Sequence, residues 1–168
     1  MSGNKELITE KMNKAMKILD EYESRNGLPT PRKPGTEEEL QEYLNMKRDK
    51  LEKLSIEDNG NIAYRLKQYA LYIQRLYNRE TSRLAWVSTE LNIQISKNIH
   101  KYDKMMKYIN KVAIMAQKEE YISILYKIHS HARQRIQRLT FLSSHIKDMG
   151  DAMLSIQRIK INMLKGER

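Results

Sequence analysis

The three prolines of this chain all fall between Gly27 and Gly35, and from Asn61 to Arg168 there is no proline and only two glycines. Proline lacks an amide hydrogen and its ring clashes with the preceding turn. The stretch Gly27-Leu28-Pro29-Thr30-Pro31-Arg32-Lys33-Pro34-Gly35 therefore cannot continue a helix and reads as an extended linker. The proline-free remainder is able to be helical throughout. This partition predicts an all-α chain in three parts: an amphipathic helical arm over 1–26, the linker over 27–35, and a helical core over 36–168.

Apolar spacing supports that reading. In the arm, Ile8, Met12, Ala15, Leu19 and Tyr22 recur every three or four residues, as on one helix face. After the linker, Thr36-Glu37-Glu38-Glu39 fits a capping box, in which the Thr36 hydroxyl accepts from the amide three residues on while Glu39 reaches back. Leu40, Leu44, Leu51 and Leu54 carry a helix to about Leu54, and Asp58-Asn59-Gly60 predicts a turn. Beyond it run three apolar stripes: Ile62 to Leu76, Leu84 to Ile109, and Ile122 to Ile156. Spacing near 3.5 residues predicts long helices in an elongated hairpin or bundle with coiled-coil-like packing. A hairpin needs a break, which we place at Ala116 to Glu120. An unbroken stripe would instead give one rod of about 100 residues. Interruptions at Arg83, His129 and Ser143 favour the hairpin.

Apolar residues make up 40% of the chain, lean for a deep core, so the helices are expected to complete their burial as a homo-oligomer. There is no cysteine, which excludes disulfides and thiolate metal sites and fits a cytoplasmic setting. The first 19 residues carry lysines and glutamates without an apolar run. We expect neither a signal peptide nor a membrane span.

The net charge of +10 is unevenly placed. Residues 1–60 hold 11 Lys+Arg against 13 Asp+Glu, whereas residues 61–168 hold 20 against 8. A basic body on an acidic front points to a polyanionic partner. Arg75, Arg79 and Arg83 lie four apart and so line one helix flank. Lys97, Lys101, Lys104 and Lys111 continue a cationic row, with Tyr108 in its gap. Phosphates along an extended strand call for such a row. Eight of the ten tyrosines lie between Tyr64 and Tyr126. Tyr72, Tyr77 and Tyr108 fall off the apolar stripe, where a ring either stacks a base beside a cation or lies at a helix interface with its hydroxyl outward. Lys127, His131, Arg135 and Arg138 form a further flank that meets either the same polyanion or an acidic neighbour.

Other chemistry finds little footing. His129 and His131 face different directions on a helix, and His145 with Asp148 lacks further ligands at matching spacing, so no metal is expected. There is no phosphate-binding GxxxxGK[ST] loop, no nucleophile elbow and no carboxylate pair in an apolar setting. The expectation is a non-enzymatic protein without a cofactor. Trp86 flanks the stripe as a plug between helices.

Three short stretches then carry a resemblance: Glu38-Glu39-Leu40-Gln41-Glu42, Leu71-Tyr72 with Leu76 and the cations after it, and His145-Ile146-Lys147-Asp148-Met149. Over about residues 37 to 153 their order and separation resemble those of phage recombination mediator proteins of the UvsY type. The resemblance implies a ring-like homo-oligomer that binds single-stranded DNA. It implies a place in DNA recombination, repair and replication, where such proteins help load a recombinase onto DNA covered by single-strand-binding protein. It matches the family's basic residues to Lys97 and Lys101, with His100 between. It also makes the C-terminal helix an assembly element through Leu139, Leu142, Ile146, Met149 and Met153. The proline-linked arm has no counterpart there, the family's glycine-rich acidic insertion is absent because Met105 to Glu120 reads as helix, and its close lysine–arginine pair is not reproduced. The alternative is a structural or adaptor protein of phage assembly whose basic face meets an acidic protein.

Overall fold

The computed structural model describes residues 2–28, 30–102 and 104–166. Met1, Pro29, Asp103, Glu167 and Arg168, which the predicted arm, linker and core include, lie outside them. The protein is about 87% helix, with no strand among the described residues. Its helices are α1 (Ser2–Arg25), α2 (Glu37–Leu44), α3 (Arg48–Lys53), α4 (Ile56–Asn98), α5 (Tyr108–Lys118) and α6 (Glu120–Gly166), with one 3-10 turn at Ile99–Lys101.

Local chemistry explains most of the boundaries. Helix α1 stops where Gly27 adopts a left-handed φ of 67°, and the Leu28 amide donates back to the Glu23 carbonyl at 3.0 Å. This is a glycine C-cap. At the start of α2 the Glu39 amide donates to the Thr36 hydroxyl at 3.1 Å, the predicted half of a capping box. The Glu39 carboxylate does not complete it, because it accepts from Tyr43 and Tyr69 instead.

Three expectations are corrected. The helix predicted to run to Leu54 is two short helices, α2 and α3, parted at Asn45 to Lys47. The break allows Leu40 and Leu44 as well as Leu51 and Leu54 to reach the same core cluster. The turn predicted at Asp58-Asn59-Gly60 is instead the first turn of α4. Ser55 caps it, its hydroxyl accepting the Asp58 amide at 2.9 Å and donating to the Asp58 carboxylate at 2.7 Å. Gly60 supplies close approach there, since a Cβ would lie 2.6 Å from the Gln157 side-chain nitrogen. Lastly, the stripe from Leu84 to Ile109 is not one helix. It breaks over Ile99 to Lys107 before α5 begins. The break between α5 and α6 falls at Glu119, within the range expected.

The chain folds as two compact units, and α4 and α6 each contribute to both. Unit 1 comprises Met1–Pro29 and Asn78–Gln137. Its core joins Ile8 of α1, Val87, Leu91 and Ile95 of α4, Met115 of α5, and Ile122 and Leu125 of α6. Unit 2 comprises Thr30–Tyr77 and Arg138–Arg168. There Ala63, Leu66, Tyr69, Ala70 and Ile73 of α4 pack on Ile146 and Met153 of α6, with α2 and α3 contributing Leu40, Tyr43, Leu44, Leu51 and Leu54 at the margin. In both units a long helix packs on another, as the stripes require.

The residues expected at subunit contacts lie inside unit 2. Ile146 and Met153 are buried in its core, and Leu139, Leu142 and Met149 pack against it. Side chains on the core-facing side of α6 are committed to their own chain. The large apolar side chains that this part of α6 leaves exposed are Phe141, Ile159, Met163 and Leu164.

Candidate nucleic-acid interface

The predicted cations divide into two groups. The α4 arginines are engaged within the chain. In unit 2, Arg75 donates to the Pro31 carbonyl at 3.3 Å. In unit 1, Arg79 pairs with Asp20 of α1 at 3.2 Å. Arg83 pairs with Glu80, whose other oxygen accepts from Arg135 of α6 at 2.8 Å. Glu80 is only 8% exposed, so this carboxylate needs both guanidinium groups to offset its desolvation. The Arg83 Nε is itself buried without a hydrogen-bond partner among the described residues. Arg135, singled out in the flank Lys127, His131, Arg135 and Arg138, is thereby assigned to the fold. Lys127, His131 and Arg138 remain on exposed positions.

The lysines of the α4–α5 connector behave differently. Lys97 stands in the last turn of α4, His100 and Lys101 form the 3-10 turn, and Lys104 lies in the following turn. All four are exposed, and Lys111 on α5 is half-buried. Lys101 donates to the neutral Asn98 side chain at 2.6 Å. None of these lysines has a carboxylate partner among the described residues. The sequence accounts for this, because between Glu90 and Glu119 the only acid is Asp103, against six lysines.

Apolar groups stand among these cations. Ile99 and Tyr102 still pack against the unit 1 core, but Met105 is 91% exposed, Ile109 73% and Tyr108 57%. Of the three tyrosines off the stripe, Tyr72 packs on the unit 2 core and Tyr77 is half-buried, leaving Tyr108 facing outward. Tyr108 opens α5, whose preceding residue Lys107 supplies no side-chain cap. Lys107, Met105 and Ile109 escaped the sequence reading. The signal that would have found them is the placement of lysines at 101, 104, 107 and 111 around apolar residues, which leaves no clean polar face for a helix.

Among the described residues no group of three or more His, Asp or Glu is arranged to hold a metal ion, and no helix is long and apolar enough to cross a membrane. A groove in unit 2 of about 410 Å³ is lined by Lys67, Ala70, Leu71, Gln74, Ser143 and Lys147, and carries no carboxylate or imidazole. Trp86 packs against the unit 1 core, and His129 is half-buried. Comparison of the chain with protein-family models, with curated proteins and with solved structures gives no match.

Proposed function

We propose that the protein binds single-stranded DNA through the connector 97–111, as a non-enzymatic recombination mediator acting as a homo-oligomer. One observation carries this reading. Lys97, Lys101, Lys104, Lys107 and Lys111 bracket the outward-facing Tyr108 along the chain and have no carboxylate partner among the described residues. Phosphates supply the missing anions, and an unpaired base supplies the flat partner for the tyrosine ring. The recombinase and single-strand-binding protein as further partners follow from the family resemblance, to which the comparisons add no support. Several copies on one strand would convert weak contacts into a firm grip.

The competing reading is an adaptor whose basic face meets an acidic protein, and the exposure of Met105 and Ile109 suits it. Anisotropy of a fluorescent oligonucleotide separates the two. Binding should weaken steeply with salt, and the Lys97→Glu/Lys101→Glu and Lys104→Glu/Lys107→Glu pairs should each reduce affinity more than tenfold while the helical signal is retained. A log–log salt slope near zero, or full affinity in both pairs, would remove DNA binding from the connector.

A further inference from the structure

Arg79 differs from the other cations of unit 1 in what holds it. Arg83 and Arg135 share the buried Glu80, and neither can leave it without stranding a buried charge. Arg79 is held by Asp20, which belongs to another element, at 3.2 Å, with the two side chains 40% and 42% exposed. A pair that open is weak and exchangeable. A phosphate oxygen makes the same bonds to a guanidinium as a carboxylate does.

Helix α1 is unevenly attached. The part of α1 up to Met16 is anchored by Ile8, fully buried in the unit 1 core, and by Met16 itself at 5% exposure. It is pinned further by Asn4 donating to Glu120 at 2.8 Å and by Lys11, whose ammonium lies 3.4 Å from the Tyr121 hydroxyl and 5.7 Å from its ring centroid. Leu19 and Tyr22 lie 11 and 14 residues beyond Ile8 and so occupy the same helix face. Yet they are 43% and 63% exposed, with Ile18 at 58%. The end that carries Asp20 is thus the lightly held end, and it leads into the glycine cap and the prolines that follow.

We propose that the part of α1 beyond Met16 is a displaceable cover over Arg79, with Asp20 standing in for a phosphate. Positions 79 and 97 stand 18 residues apart on α4, hence on one face about 27 Å along the axis. A strand that runs from the connector along this face competes with Asp20 for Arg79, and where it wins the Asp20 end of α1 lifts while Ile8 and Met16 keep the helix attached. By linkage, whatever holds α1 down weakens the strand's grip, and the strand loosens α1. The inference rests on the polyanion reading of the connector and adds its regulation.

The test is a double-mutant cycle in the full chain, read by anisotropy with a labelled oligodeoxythymidylate over a salt series. Asp20→Asn should tighten binding by roughly threefold to fivefold and steepen the log–log salt slope by up to about 0.7, as the phosphate contact that Asp20 contests is completed. Arg79→Gln lacks that contact and should bind no tighter than the parent, and Asp20→Asn should have no effect in that background. Glu21→Gln makes the same charge change one residue away and should leave binding unaltered. Equal tightening by Asp20→Asn with and without Arg79, or by Glu21→Gln, would reduce the effect to net charge and overturn the cover. So would an Asp20→Asn chain indistinguishable from the parent. A parent chain that fails to bind the oligonucleotide at all would overturn the DNA reading as well, which keeps the two failures apart.

Discussion

Tyr69 shows how single residues tie the end of the linker to α4. Its ring is 1% exposed, and its hydroxyl lies 2.8 Å from the Thr36 carbonyl and 3.1 Å from the Glu39 carboxylate. Glu39 also accepts from Tyr43 at 2.8 Å. The Tyr43 hydrogen bond, with those from Tyr69 and the charge of Arg65, outweighs desolvation and holds the Glu39 carboxyl below its usual range. Burial first, then the hydrogen bond to Glu39, pushes Tyr69 up from 10.0 to about 12, and the same two causes raise Tyr43. A raised tyrosine stabilises the fold fully below its unfolded value, and that contribution is lost as pH climbs through the folded one. The depressed Glu39 works at the other end, its contribution present above the ordinary carboxylate value and lost as pH falls through the folded one. The thermal midpoint should therefore decline between pH 10 and about 12. Tyr69→Phe should cost about 1 kcal/mol at neutral pH and flatten that alkaline decline. An equally steep decline in Tyr69→Phe would place its cause elsewhere. None of this network was legible in the sequence beyond the Thr36 cap. Glu39 read as half of a capping box because the spacing fits, whereas two tyrosine hydroxyls outcompete its own helix start.

At the scale of elements, helical periodicity announced α1, α4 and α6. The two long helices bury apolar side chains along most of their length, and α1 buries Ile8 and Met16 before its stripe becomes exposed at Leu19 and Tyr22. It misplaced the ends for an identifiable reason. Leu40, Leu44, Leu51 and Leu54 keep the same spacing whether α2 and α3 are one helix or two, since both halves converge on one cluster. The stripe past Ile99 likewise keeps its spacing where the chain leaves the core between Tyr102 and Val112. The break after Lys53 is secured from a distance. Lys160 of α6 donates to the Leu51 carbonyl at 3.3 Å and the Leu54 carbonyl at 2.5 Å, which satisfies carbonyls that the end of α3 leaves open. Replacing Lys160 with Met preserves the length and helix propensity but removes the charge. We expect a loss of about 1.5–3 kcal/mol, with hydrogen exchange accelerated in 48–54 ahead of the rest of unit 2. Uniform acceleration across the chain would show that Lys160 supports α6 packing in general rather than the end of α3.

For the molecule as a whole, the sequence conveyed an all-helical chain and a basic body, but it merged two kinds of cation. Spacing put Arg75, Arg79 and Arg83 in one row with the connector lysines. It could not show Asp20 or the Pro31 carbonyl arriving from distant parts of the chain, nor Glu80 buried between Arg83 and Arg135. Nor could it show two cores, because α4 and α6 each run as one continuous helix through both units. That continuity bears on folding. Unfolding one unit alone would require α4 and α6 each to end midway, with new helix termini and several unpaired backbone groups at each. The two cores should therefore melt together. Leu125→Ala in unit 1 and Leu66→Ala in unit 2 each empty a fully buried site, at a cost of about 2–5 kcal/mol. Followed by the helical signal, each should lower one common midpoint and leave a single transition. If Leu125→Ala produced a first transition carrying only the unit 1 part of the signal, with the second midpoint unmoved, the shared helices would not couple the cores. The cover on Arg79 would then belong to a unit able to open by itself.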